Sequence, residues 1–421
     1  MLVKPSQPAQ ANRRSNKRPE VREKDIEGLK FFAKLRPLLD RLHDAGCARD
    51  RANNRTLHMD QYVMLVLLYL FNPTLTSLRG IQQASQLKKV QKKLGCARAS
   101  LGSLSESVRV FDPELLKGVV AELGKQLEPI ARDGRLGDIQ AQLRLVDGSL
   151  LQGLPHLMTA ALGEEGVRKS GGKHRLHTQF CVDKHIPTQI KVRPNLGGEH
   201  DERDVLADSL EAGLTYVMDR GYLRAALFND IVGAGSSYVC RIRDNTACRM
   251  TEDRPLSDEA VATGVLTDQV VELGKTKARR PDHPVRVVCV KMRENPKRHD
   301  AGVRGGHGSD GVLRVATNLL DLPAETVALV YEYRWTVEIF FRFFKHVLGC
   351  RHLLSHKAEG IRLQTYAAII ACMLMTLWTG RRPSLRTYEM ICHYFSGLAD
   401  WEELMLHIEH LPKHEDPAKT N

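Results

Sequence analysis

From about residue 25 to 125 the apolar positions recur at helical spacing, as in Leu29, Phe32, Ala33 and Leu35 and then Tyr62 to Leu70, with breaks at Asn72-Pro73 and Gly95. This predicts an all-helical domain over residues 25–135. Near residue 140 the helical period gives way to two-residue alternation. Leu143–Leu151, Leu176–Val182, Thr188–Val192, Thr215–Met218 and Tyr238–Ile242 read as strands, with helices around Asp204–Leu214 and Leu223–Ile231. After Arg243 the pattern is interrupted until about Leu313. Strand-like pieces at Gln269–Leu273 and Val285–Met292 stand among basic loops, Lys275–Arg280 and Arg293–Gly308. A helix then starts near Pro323, with Pro and Glu325 as start signals, and stops at Gly349. Helical stretches around Lys357–Thr379 and Ser384–His410 close the chain.

Three strands, a helix, a strand, a helix and a strand is the order of a ribonuclease-H-like core, a mixed α/β sheet. The predicted fold class is therefore α/β. Its organisation is a polar arm (1–24), the helical domain (25–135), the first part of the core (140–243), a β-rich insertion (244–313), the second part of the core (314–380) and a C-terminal helical segment (381–421).

Charge gives the picture a direction. The 421 residues carry 62 Lys plus Arg against 50 Asp plus Glu, a net charge of +12, which favours a polyanionic partner, with nucleic acid first. The arm, with Lys4, Arg13, Arg14, Lys17, Arg18, Arg22 and Lys24 and almost nothing apolar, reads as disordered. Ser77–Lys93, apolar on one side and ending in Lys88, Lys89, Lys92 and Lys93, reads either as a DNA-reading helix or as an amphipathic helix with a solvated basic end. Nine scattered cysteines without a CxxC pair argue against a disulfide framework and a zinc finger. The opening residues predict no secretory leader. The most apolar stretches, Tyr62–Phe71 and Tyr366–Trp378, fall short of the roughly 20 residues of a spanning helix. A cytoplasmic protein without a membrane role is the expectation.

The chemistry is concentrated on the 323–349 helix. Tyr331, Arg334, Glu338 and Lys345, spaced by three, four and seven residues, form one polar stripe. Ile339, Phe340, Phe343, Phe344 and Val347 centre on the opposite side, so the stripe is expected to face solvent or a groove, flanked by Trp335 and Phe341. Asp147 ends the first predicted strand and Asp219 the fourth, so in a sheet where those strands are neighbours both carboxylates emerge at one edge, beside Glu338. Hard oxygen donors of that kind suit divalent ions in phosphoryl transfer. Each acid also has a plainer reading: Asp147-Gly148 as a turn, Asp219 as a helix cap, Glu338 as a partner of Arg334 or Arg342. His174, His177, His200 and Cys181 match no zinc spacing.

These residues resemble the DDE-type bacterial insertion-sequence transposases, specifically the insertion-sequence-four family with its Tyr-(2)-Arg-(3)-Glu-(6)-Lys signature, which Tyr331, Arg334, Glu338 and Lys345 match in full. Residues 94–106 and 314–319 are also similar, so the likeness runs from about residue 60 to 380. The resemblance implies that Asp147, Asp219 and Glu338 are catalytic and bind two metal ions, Mg²⁺ with Mn²⁺ as substitute. It implies that Tyr331, Arg334 and Lys345 bind DNA phosphates. The partners implied are transposon ends bearing inverted repeats, target DNA, and a second copy of the chain in the synaptic complex. Two rival readings are a catalytically silent DNA-binding protein on the same fold and a ribonuclease-H-like nuclease that only cuts. Some family members flip a base onto an aromatic of the insertion and make a hairpin end; here 245–322 holds no Phe, Trp or Tyr, which leaves Met250 and Met292 as apolar wedges.

Overall fold

The helical spacing of the first part produces α1 (Arg36–Asp40), α2 (Leu42–Ala45), α3 (Met59–Phe71), α4 (Leu78–Ala84), α5 (Lys88–Leu94), α6 (Leu101–Val110) and α7 (Leu115–Gln126). The computed structural model describes residues 35–50, 55–127, 134–139, 141–150, 174–194, 201–292, 311–349, 354–355, 357–380 and 384–411. The predicted basic arm, His200 and the loop 293–308 lie outside the described residues. The helix α3 is buried from Tyr62 to Phe71, so it is a core element. The expected helix Ser77–Lys93 is instead two. Ser85, fully buried, donates to the Gln82 carbonyl (2.6 Å) and accepts from the Ala99 amide (3.0 Å), and Leu87 is extended, which leaves the lysines on α5 alone.

Alternation then builds β1 (Gln142–Leu150), β2 (His174–Cys181), β3 (Ile186–Pro194), α8 (Glu202–Ala207), β4 (Leu214–Met218), α9 (Ala225–Gly233) and β5 (Ser237–Arg241). The region expected as an insertion contributes β6 (Cys248–Asp253), α10 (Asp258–Ala262), β7 (Val265–Leu273) and β8 (Val285–Lys291), and is followed by β9 (Val312–Thr317). All nine strands share one sheet in the order β3-β2-β1-β4-β5-β9-β8-β7-β6. The central strands β1, β4 and β5 are parallel, and every other pairing is antiparallel. The expected β-rich insertion thus continues the core sheet beyond β9. Its outermost strand, β6, escaped the sequence pattern because it is exposed along its whole length and has no apolar face to show.

One face of the sheet is covered by α8 and α9, with Val146, Tyr216, Met218, Phe228 and Tyr238 in its core. The other face is covered by α11 (Ala324–Glu332), α12 (Arg334–Gly349) and α13 (Ala358–Thr379), and its core runs on without interruption into the N-terminal helices. By length and composition Glu359–Thr379 is apolar enough to span a membrane, longer than the sequence reading allowed, but 83% of that window is buried inside the protein. Polar ties join the layers: Lys184 Nζ, in the turn between β2 and β3, donates to the Gly124 carbonyl of α7 (2.7 Å), and Tyr388 Oη near the C-terminal end donates to the Leu70 carbonyl of α3 (2.7 Å). The closing stretch is also two helices, α14 (Leu385–Ser396) and α15 (Trp401–Glu409), because Gly397 (φ 76°) ends the first and Asp400 caps the second.

Candidate active site

The parallel register pairs Gln142 with Leu214 and proceeds to Val146 with Met218. Asp147 and Asp219 are the next residues on each strand, so their backbones are neighbours across about one strand spacing, roughly 5 Å. Side-chain direction follows from alternation. Leu143, Leu145 and Val217 belong to the core under α12, whereas Val146, Tyr216 and Met218 belong to the opposite one. Asp147 therefore projects from the α12 face. Asp219 keeps an extended backbone (φ −81°, ψ 167°), so the alternation carries through it to the same face. Both side chains are partly exposed. Asp219 Oδ1 also accepts from the Arg220 amide (2.7 Å), the capping role that the plain reading assigned it.

The helix expected to be continuous from 323 to 349 is interrupted at Tyr333. The Thr336 amide turns back to the Tyr333 carbonyl (2.9 Å), which puts Tyr331 on α11 while Arg334, Glu338 and Lys345 are on α12. The expected solvent-facing stripe is corrected too. Tyr331 and Arg334 are buried, Glu338 is one third exposed, and of the two flanks only Trp335 is exposed while Phe341 lies in the core. The reason is packing: both helices lie against the sheet, and Tyr331 and Arg334 are close enough to Asp219 to feel its charge. The side chain of Lys345 lies outside the described residues.

Arg334 Nη1 donates to Glu338 Oε1 (2.8 Å), one turn away on α12, and its guanidinium sits 5.8 Å from the Tyr331 ring centre and 5.2 Å from that of Trp335. Burial works against the Arg334 charge, yet the Tyr331 phenol, Glu338 and Asp219 outweigh it and hold its pKa above the ordinary value. Burial pushes the Tyr331 phenol up to about 12, with Asp219 adding to it and Arg334 and Arg241 opposing. At neutral pH Tyr331 is thus a donor, not a base. Two polar atoms here are buried without a hydrogen-bond partner among the described residues, Tyr331 Oη and Arg334 Nε. An unmet donor in the interior costs about 1–3 kcal/mol, so such atoms call for a ligand.

Sequence reasoning missed Arg241, which follows Cys240 on β5. Val239 belongs to the α12-side core and Cys240 to the other, so alternation returns Arg241 to the acid face. Its signal was a cation inside an otherwise apolar strand. The expected wedge Met250 is exposed, but β6 lies five strand positions from β4, about 24 Å along the sheet.

Asp147 and Asp219 thus stand beside each other on β1 and after β4, and the buried Arg334, paired with Glu338, is close enough to Asp219 to feel its charge. Residues 139–374 match the family model described as the transposase DDE domain, more than half of the chain, and the protein belongs to that family. Membership implies divalent-metal use and action on DNA. The chain is 27% identical over 306 residues, 70% of it and 73% of the relative, to the transposase-named protein y4zB of Sinorhizobium fredii. It is 26% identical over 241 residues, 55% of it and 58% of the relative, to a Geobacillus stearothermophilus protein named as transposase for insertion sequence element IS5377. A piggyBac transposase synaptic complex with hairpin DNA, seen by electron cryo-microscopy, aligns at TM-score 0.40 and 10% identity over 94% of this chain and 88% of that one.

Proposed function

We propose that the protein is a Mg²⁺-dependent DNA transposase of the insertion-sequence-four family, acting through Asp147, Asp219 and Glu338 on a ribonuclease-H-like core. The observation that carries the reading is the register: the two aspartates follow the last paired residues of adjacent parallel strands, on the face that α12 covers. The donor set fits the group it would hold, because carboxylate oxygens without nitrogen or sulfur suit a hard dication. Two Mg²⁺ ions bound there, or Mn²⁺ in their place, supply activation of an attacking oxygen and stabilisation of a leaving one.

The protein groups around them do the rest. Arg334 holds Glu338 through Nη1, and its Nε, like the buried Tyr331 hydroxyl, has no partner among the described residues. A non-bridging phosphate oxygen meets both needs, and Lys345 adds charge from α12. Water would first cut DNA at the transposon end, and the released 3′-hydroxyl would then attack target DNA. In this reading the helical domain (25–135) binds the terminal inverted repeats, the core is formed by 140–243 and 314–380, the sheet extension (244–313) flanks it, and the C-terminal segment (381–421) pairs two copies in a synaptic homodimer.

The test is a strand-transfer assay on DNA carrying the element's own terminal repeats, with Mg²⁺ and with Glu338→Gln in parallel. Joined products that vanish in the variant, with end binding retained, support the reading. Binding without cleavage by the native chain overturns catalysis, and cleavage without joining makes the protein a nuclease.

A further inference from the structure

Far from the acids in sequence, α2 and the start of α3 bring two histidines face to face. The rings of His43 and His58 stack at 3.7 Å between centres and 8° between planes. Gly46 permits the approach: a Cβ there would stand 2.3 Å from Met59 Cβ, so only glycine lets the end of α2 close on α3. Each ring has its Nδ1 committed. His43 Nδ1 lies 3.0 Å from Asp60 Oδ1, and His58 Nδ1 lies 3.1 Å from the His43 carbonyl, with Cys47 Sγ at 3.4 Å. The Asp60 carboxylate only accepts, so in a neutral His43 ring the proton lies on Nδ1 and Nε2 holds the lone pair, while His58 Nδ1 stands between the accepting His43 carbonyl and the Cys47 thiol. The carboxylate of Asp44 completes the set: one ligand atom each from His43, Asp44 and His58 lie within 4.8 Å of one another.

We propose that His43, His58 and Asp44 form a site for a borderline transition-metal ion of the Zn²⁺ type, with solvent completing its shell. Two imidazoles and one carboxylate are a donor set for such ions rather than for Mg²⁺, which distinguishes this site from the three acids. The Asp60 carboxylate behind His43 and the carbonyl behind His58 are the outer partners that metal-bound imidazoles ordinarily have, fixing tautomer and ring orientation. Ligand atoms of a tetrahedral ion sit about 3.3 Å apart at metal–nitrogen bonds near 2 Å, so binding draws the ligand atoms together and splays the rings from parallel. The ion would clamp α2 to the start of α3.

The test uses the full chain, stripped by a chelator and kept in excess Mg²⁺ to occupy the acids, titrated with Co²⁺ as the visible probe. One equivalent should give the d–d absorption of a low-coordinate Co²⁺ site, and Zn²⁺ should abolish it. Asp44→Asn and His58→Gln should lose the signal, Asp60→Asn should weaken Co²⁺ affinity about 10–100-fold, and Asp147→Asn should leave it unchanged. Asp44 is exposed, so its variant keeps the test valid if His58→Gln does not fold. No absorption in the native chain, a signal that survives Asp44→Asn, or one lost with Asp147→Asn overturns the site.

Discussion

Arg286 and Arg334 are both buried against carboxylates, and they are treated oppositely. Arg286 on β8 is fully enclosed: Nε and Nη2 donate to the two oxygens of Asp268 on β7 (2.7 Å each), and Nη1 donates to the carbonyls of Leu319, Leu320 and Leu322. That fork ties the sheet extension to the loop leading into α11. Arg334 has one carboxylate oxygen, two aromatic faces, and an Nε with no hydrogen-bond partner among the described residues. The first pair is saturated and serves position. The second is incomplete and feels the charge of Asp219, the difference expected under the proposed function between a group that takes a ligand and one that only holds position.

Substitution should separate them. Arg286→Ala leaves Asp268 and the carbonyls of Leu319 and Leu322 without this donor in the interior, while Leu320 keeps Arg254, and should cost about 3–5 kcal/mol, read as a lower urea midpoint with slope unchanged. Loss of stability below about 1 kcal/mol would make the two arginines alike and sink the contrast. Arg334→Met, by contrast, should leave the midpoint within about 1 kcal/mol, because an imperfectly paired buried charge is exchanged for an apolar chain of similar reach. Strand transfer should fall about 10²–10³-fold, the size expected when one positioned donor to a developing anion is removed. A variant that transfers normally would return Arg334 to the structural class.

How this contrast was hidden from the sequence is physical. The position of Asp219 was legible because it follows the last residue of its strand, whereas Asp147, expected at a strand end, stands inside β1, which runs on to Leu150 against β2 while only the pairing with β4 stops at Val146. The Tyr331–Glu338 spacing was legible as helix. Spacing alone does not report the break at Tyr333, which comes from a backbone turn, nor the burial of Tyr331 and Arg334, which comes from packing against the sheet. The Asp268–Arg286 pair was invisible for a related reason: two charges in consecutive strands look like surface positions until the sheet encloses them. The strand β6 went unread because all its residues are exposed, and the pairing of β8 with β9 joins segments across a stretch with no periodicity.

Tyr331→Phe sharpens the same distinction at lower amplitude. The hydroxyl has no hydrogen-bond partner among the described residues, so its removal should leave stability unchanged or raise it by up to about 1 kcal/mol. If the hydroxyl donates to a phosphate oxygen, transfer should fall about tenfold or more, as for a hydrogen bond to a charged group. Because burial holds the phenol at about 12, the rate should show no step attributable to it between pH 6 and 9. Unchanged transfer in the phenylalanine variant would remove Tyr331 from the phosphate-binding set.

A third arginine–carboxylate pair gives the smallest effect. Arg203 Nε lies 2.8 Å from Asp201 Oδ1 at the start of α8, with about a quarter of Asp201 and a third of Arg203 exposed to water. The bond from Arg203 lowers the Asp201 carboxyl from the usual range to about 2. The folded value is below the unfolded one, so the stabilisation is fully present above about pH 4 and disappears as pH falls from there through about 2. Solvent screens the pair, so Asp201→Asn, which retains a capping oxygen, should lose at most about 1 kcal/mol at pH 7. Urea midpoints of native and variant chains should converge as pH falls below 4. A difference that persisted at pH 2, or that matched the loss in Arg286→Ala at pH 7, would mean that burial is not what ranks these three pairs.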